Sequence, residues 1–318
     1  MTIASVTVFG GTGFLGRHVV MKLARQGFQV KIACRKSSLA LRCKPMGDVG
    51  QITGICTNVR FDASVSAAIE GSDAVVNLIG VLHSQGQQNF KALHVEGAAR
   101  IAKAASLASV KRLIHISAIG ADQNAIANYA QTKGLGENVV REAFPTATIL
   151  RPSIVFGPDD NFFNKFAGLA RLTPALPLIG GGSTNFQPIY VGDVAEAVSV
   201  CLRQSITSGN LYELGGPRVY SFQNLMKIML TEILRRNFLV PIPFWLAKGM
   251  ALFLERIKIP FFLSEPLLTR DQVKLLEVDN VVGPSVLGLI DLGISPTALE
   301  EILPMYMQRY RRSVGGRR

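Results

Sequence analysis

The chain has 318 residues, enough for one large α/β domain with a smaller lobe or for two modest domains. Hydrophobic residues make up 48% of it, yet no stretch of about 20 residues runs without a charge or proline. A transmembrane helix is therefore not expected, and the apolar surplus must be buried in the core, against a partner or against a membrane surface. The 34 basic residues outnumber the 22 acidic ones to give a net charge of +12. Such a field favours phosphates, acidic lipid headgroups or acidic protein faces. A basic surface with no dedicated partner is the plain alternative. Nucleic acid is not expected as a partner, because no helix-turn-helix, zinc-finger or aromatic RNA-binding motif accompanies the charge.

Strand and helix signals alternate from the start. Val6–Phe9 is a short β-forming run, and Leu15–Gln26 has helical periodicity closed by Gly27. Gln29–Cys34 reads as a second strand, Val59–Phe61 as a short third one, and Ser64–Glu70 as a helix. Ala74–Ile79 is a continuous apolar run, as a strand covered on both faces should be. Asn89–Leu107 is read as a helix, Arg112–Ser117 as a strand, Tyr129–Ala143 as a helix and Ala147–Leu150 as a strand. This alternation predicts an α/β fold, a Rossmann-like doubly wound parallel sheet with a smaller C-terminal lobe. Beyond Arg151, prolines and glycines suggest long loops. A strand at Gln187–Val191 and a helix at Val194–Arg203 are assigned to the first domain, so the expected division is 1–205 and 206–318.

The loop Gly10-Gly11-Thr12-Gly13-Phe14-Leu15-Gly16 follows a strand and opens a helix. Glycines at this spacing permit the tight turn, the approach of a pyrophosphate to the backbone, and close helix–sheet packing. The amides at the helix start, at the positive end of its dipole, then suit phosphate. A glycine-rich turn without a ligand is the bland alternative. An NAD site usually ends its second strand with a carboxylate; here stand Cys34, Arg35 and Lys36. Two cations there suit a 2′-phosphate, so NADP(H) is expected over NAD(H), unless both are solvated surface charges. Asp62 is read either as a partner of the adenine edge or as a helix cap. Asn77, Leu78, Ile79 and Gly80 are expected to line the cofactor.

Tyr129 and Lys133 stand at i and i+4, on one helix face. An ammonium beside a phenol is expected to draw the tyrosine pKa down from about 10, making Tyr129 a candidate acid/base with Ser117 on the reacting oxygen. Lys133 could also hold the nicotinamide ribose. The same residues can simply grip the cofactor.

Cys34, Cys43, Cys56 and Cys201 show no C-x-x-C spacing, and His18, His83, His94 and His115 no ligand spacing. Reduced thiols, no metal site and a cytoplasmic setting without a targeting peptide are expected.

The glycine loop, Ser117, Tyr129 and Lys133 together resemble the short-chain dehydrogenase/reductase superfamily, in its extended and atypical branches. Arg151–Pro158 and Gln187–Ala195 look like segments of those branches. Thr7–Arg17, Arg42–Gln51, Val76–Gly80 and Leu267–Val273 are similar to the NADPH-binding accessory subunit family of respiratory complex I, including its alphaproteobacterial members. The likeness runs over nearly the whole chain. It implies largely structural NADPH binding, with Gly10, Gly13, Gly16 and Arg35 on the phosphates and Tyr129 and Lys133 on the nicotinamide ribose. It also implies docking on the peripheral arm of complex I, at the cytoplasmic face of the inner membrane. Unlike mitochondrial members, this chain shows no presequence or long C-terminal extension. The other reading is a soluble NADP-dependent reductase, epimerase or dehydratase using Ser117, Tyr129 and Lys133.

In the C-terminal lobe, Phe244, Trp245, Leu246, Met250, Leu252, Phe253 and Leu254 share a helical stretch, and Phe261, Phe262 and Leu263 follow a proline. They pack the lobe's own core or face a hydrophobic partner or anionic membrane, with Arg235, Arg236, Lys248, Arg256 and Lys258 nearby. The basic end Arg309–Arg318 reads as a solvated tail that could assist such attachment.

Overall fold

The computed structural model describes residues 3–84, 86–256 and 268–311. In chain order its elements are β1 Ser5–Phe9, α1 Phe14–Arg25, β2 Gln29–Cys34, α2 Ser37–Ala40, β3 Ile52–Cys56, α3 Asp62–Ile69 and β4 Ala74–Asn77. A π-helical turn at Lys91–Glu96 leads into α4 Gly97–Leu107, β5 Arg112–Ile116, α5 Asn128–Ala143 and β6 Thr148–Pro152. There follow β7 Val155–Phe156, α6 Phe163–Leu172, β8 Ala175–Ile179, β9 Asn185–Phe186, β10 Ile189–Tyr190, α7 Val191–Arg203 and β11 Leu211–Leu214. The last elements are β12 Tyr220–Ser221, α8 Phe222–Glu232, β13 Phe238–Ile242, α9 Phe244–Arg256, α10 Arg270–Leu275 and α11 Leu299–Met307.

Seven strands form one sheet in the order β11-β6-β5-β4-β1-β2-β3, and every pairing in it is parallel. The order reverses beside β1, so β1 and β4 diverge at their carboxyl ends, where open α/β sheets bind ligands. Phe9, Ala33, Val75 and Leu113 pack beneath α3, α4 and α5 as one buried cluster. On the other face Val8 and Ile32 meet Val20 of α1 around Gly11, and α1 packs on α7. Burial on both faces explains why Ala74, Val75 and Val76 of β4 form an uninterrupted apolar run.

The chain divides into two compact units that interleave. The first comprises Met1–Pro152, Val191–Leu214 and Val282–Pro296; the second Ser153–Tyr190, Gly215–Val281 and Thr297–Arg318. A single cut at 205/206 does not describe this arrangement. Leu211–Leu214 pairs with β6 as the sheet's edge strand, and Leu287 bridges to Tyr212, which draws both segments into the first unit. The second unit has its own core, in which Phe156, Phe163, Phe186, Phe222, Met226 and Leu303 are buried. Within it β13 lies parallel to β8, and Ala247 and Ala251 seat α9 on Ile179 and Val273. Trp245 and Phe253 of α9 remain 74% and 65% exposed. Phe261, Phe262, Leu263, Lys258 and the tail from 312 lie outside the described residues.

Three elements differ from expectation. The third strand is Ile52–Cys56, not Val59–Phe61. Gly54 disguises it, since glycine weakens a strand. Here it is required, because a Cβ would lie 2.6 Å from that of Ala40. Residues 57–61 instead make a turn, with Arg60 N donating to Asn58 Oδ1 at 3.1 Å, and Val59 is apolar because it enters the core. The expected strand Gln187–Val191 shrinks to Ile189–Tyr190 and pairs with β7 in the second unit. The helix over 89–107 contains the π turn, which buries Leu93 and His94.

Arg151 ties α5 to the sheet. Its guanidinium grips Glu137 of α5 through two hydrogen bonds of 2.8 and 2.7 Å and reaches Glu213 of β11 at 3.4 Å. Glu213 also accepts from Gly283 N at 2.9 Å. Removing the cation strands two buried carboxylates. Arg151→Met should therefore cost about 3–5 kcal/mol in urea unfolding; a loss under about 1 kcal/mol would mean that the pair is solvated.

Candidate functional site

The site begins where β1 turns into α1. Gly10 adopts φ +79°, in the left-handed region, and a Cβ there would meet the Leu78 backbone at 3.2 Å. At Gly16 a Cβ would lie 2.1 Å from Gly10 O and 2.7 Å from Gly11, which no rotamer change can relieve. Gly11 is hemmed by Ile32, Val20 and Val8 at 3.0 to 3.3 Å. Gly13 caps α1, its amide donating to Gly10 O at 3.1 Å, and Thr12 is half-buried. Phe14 and Leu15 form the first turn, whose amides have no intrahelical acceptor. With no acidic residue in that turn and Lys22 and Arg25 in the last, nothing opposes an anion there.

At the end of β2, Arg35 and Lys36 are exposed, and no carboxylate stands among them. Asp62 opens α3 and pairs with Arg100 Nε at 3.2 Å. At the end of β4, Asn77 Oδ1 accepts from Ile79 N at 3.1 Å, and Leu78 N extends the ladder to Phe9 O. Gly80 leaves space that Lys133 uses, since a Cβ would lie 3.3 Å from its Nζ.

Two histidines that the sequence does not single out complete this wall. His94 Nε2 accepts from Val81 N at 3.1 Å, so its proton sits on Nδ1 and is donated to Thr132 Oγ at 3.0 Å. The Thr132 hydroxyl in turn donates to Asn128 O at 2.8 Å. His115 Nδ1 accepts from Asn77 Nδ2 at 3.1 Å, which leaves the proton on Nε2. That buried Nε2 and the buried Ser117 Oγ two residues on have no hydrogen-bond partner among the described residues. Unsatisfied polar atoms at the mouth of a sheet fit a site that completes itself with a bound molecule. No spacing marks these histidines; the register Asn77↔His115 and the π turn bring them in.

Tyr129 and Lys133 do share a face of α5, but their electrostatics differ from the expectation. Burial pushes the Tyr129 phenol up to about 12 rather than down. The buried Lys133 ammonium donates to Ile116 O at 3.0 Å, and desolvation pulls it down to about 8, opposed by Glu137. The Tyr129 ring stands edge-on to His94 and Phe90, at 5.5 and 6.0 Å between centroids. All these residues belong to the first unit. The glycine cradle, the free helix start and the unpaired Ser117 and His115 atoms fit an adenine dinucleotide. Among the described residues no group of His, Cys, Asp or Glu is placed to hold a metal ion.

A family model described as NAD(P)H-binding matches residues 10–166. The 40 kDa subunit of mitochondrial NADH-ubiquinone oxidoreductase from Neurospora crassa is 34% identical over 307 residues, 96% of this chain and 80% of that protein. NADH dehydrogenase [ubiquinone] 1 alpha subcomplex subunit 9 of Arabidopsis thaliana is 35% identical over 312 residues, covering 96% and 78%. The chain belongs to this subunit 9 family. Among solved structures, the dTDP-glucose 4,6-dehydratase DesIV of Streptomyces venezuelae, with NAD and TYD bound, superposes with a TM-score of 0.73. At 17% identity over 96% of both chains, that likeness concerns the fold alone. Among the described residues no helix is long and apolar enough to cross a membrane.

Burial pulls both histidines down to about 3. Between that value and about 6.5 the unfolded chain takes up protons that the folded chain refuses, so stability falls as pH falls through this window. From pH 7 to pH 5 the pair should cost roughly 4 kcal/mol in urea unfolding, at about 1.4 kcal/mol per pH unit and histidine once below 6.5. His115→Gln should halve the loss. Equal stability at the two pH values would contradict the buried, neutral assignment.

Proposed function

We propose that the chain is an accessory and assembly subunit of respiratory NADH:ubiquinone oxidoreductase, and that it holds NADPH as part of its fold rather than turning it over. The observation that carries the reading is kinship over nearly the whole chain with subunits of that enzyme, 34–35% identical over 96% of this chain. The site itself is dry: burial pushes the Tyr129 phenol up to about 12, and the Lys133 ammonium donates to Ile116 O at 3.0 Å. General acid–base work favours a pKa near the operating pH. Kinship with the 40 kDa and alpha-subcomplex subunit 9 proteins supports the partner.

In this reading Gly10 to Gly16 hold the pyrophosphate on backbone amides, and Arg35 and Lys36 select the 2′-phosphate of NADP(H). Asn77 to Gly80 line the cofactor, with Tyr129 and Lys133 on the nicotinamide ribose. The cofactor, when bound, carries a transferable hydride; the residues around it fix its position. The exposed Trp245 and Phe253 of α9 face a hydrophobic partner in the peripheral arm or the anionic surface of the inner membrane's cytoplasmic side. A second reading, an NADP-dependent reductase, epimerase or dehydratase, is favoured by the unpartnered Ser117 Oγ, which could receive a substrate oxygen.

Native purification tests the choice. The first reading predicts migration with membrane-bound NADH dehydrogenase activity, and NADPH released only on denaturation. NAD in its place, or rapid oxidation of the bound nucleotide by added carbonyl compounds, would contradict it.

A further inference from the structure

Three of the four cysteines gather where Arg35 and Lys36 stand. Cys34 closes β2, Cys56 closes β3, and the two are direct partners in the parallel ladder. Their side chains therefore leave the same face of the sheet. Neighbouring strands lie about 4.8 Å apart, inside the Cα separation of about 4.4–6.8 Å that a disulfide accepts. Each thiol also pins the segment that follows β2. Cys34 Sγ donates to Lys36 O at 3.2 Å and Cys56 Sγ to Arg35 O at 3.3 Å. Cys56 is exposed and Cys34 buried. Cys43, the third thiol nearby, is buried with its Sγ 4.0 Å from Gly11 O.

We propose that Cys34 and Cys56 form a reversible redox modification site, whose disulfide loosens the hold of Arg35 and Lys36 on the cofactor's 2′-phosphate. This rests on the reading of those two cations given above. Hydrogen peroxide oxidises the Cys56 thiol to a sulfenic acid and is itself reduced to water. The Cys34 sulfur then attacks the Cys56 sulfur; the S–O bond breaks, and the departing hydroxide takes the Cys34 proton as a second water. Reaction begins at Cys56 because it is the accessible thiol, and Cys34 resolves it. Sulfurs joined in the bridge have no S–H left to donate, so the carbonyls of Arg35 and Lys36 lose both contacts. The segment must then re-aim its side chains.

Peroxide treatment of the full chain, followed by thiol counting and peptide mapping, should leave two of the four thiols, Cys43 and Cys201, and join Cys34 to Cys56. NADPH affinity should fall about tenfold, the loss of roughly one charge-assisted hydrogen bond. NADH affinity should hold, and a dithiol reductant should restore NADPH binding. Cys56→Ser, at an exposed position, should bind NADPH like the reduced protein and ignore peroxide. Oxidation that leaves Cys34 and Cys56 free, or joins either to Cys43, overturns the assignment. A Cys34–Cys56 bridge with unchanged NADPH affinity overturns the coupling. Reduced Arg35→Ala, measured alongside, separates the two failures: if it keeps the wild-type ratio of NADPH to NADH affinity, the 2′-phosphate reading itself has failed.

Discussion

The structure turns on a contact that tolerates no side chain: Gly16 of α1 against the carbonyl of Gly10, where a Cβ would lie 2.1 Å away. Because the helix can come this close, its first-turn amides open directly beyond the end of β1. The same turn puts Gly10 against the Leu78 backbone, so the ends of β1 and β4 are fixed to one another as well. An anion placed there meets the helix dipole and uncommitted amides together. Everything else in the site is arranged around that mouth.

The opposite wall is governed by desolvation. Lys133 is buried against Ile116 O with Glu137 one turn on, and Glu137 is itself held by Arg151. His94 and His115 are neutral because burial and the nearby Lys133 charge both oppose a proton. Tyr129 is raised by the same exclusion of water. Such a wall positions a ligand well and exchanges protons poorly. Ser117 Oγ and His115 Nε2 lie buried on this wall with no hydrogen-bond partner among the described residues.

Periodicity made most of the first unit legible. β1, α1, β2 and α5 lie where their apolar spacing puts them, because each buries a regular face. β3 was hidden by Gly54, whose purpose is contact with Ala40 and not local propensity. The glycine loop was readable because its tight turn depends on chain order alone. His94 and His115 were not, since sheet register and a π turn join them across the fold. Spacing placed Tyr129 near Lys133 but carried no information on solvation, so the direction of the tyrosine shift came out reversed. The interleaving of the two units was equally invisible, because it depends on β11 returning to β6 after a long excursion.

The central claim is that the site holds its nucleotide without proton transfer through Tyr129. Tyr129→Phe keeps the ring that packs on His94 and Phe90 and removes only the hydroxyl. In cells whose sole copy carries this substitution, membrane NADH:ubiquinone activity should stay at the wild-type level, with NADPH still bound by the remaining contacts. Loss of that activity in protein that still retains NADPH would show that the hydroxyl does chemistry, and would contradict the account.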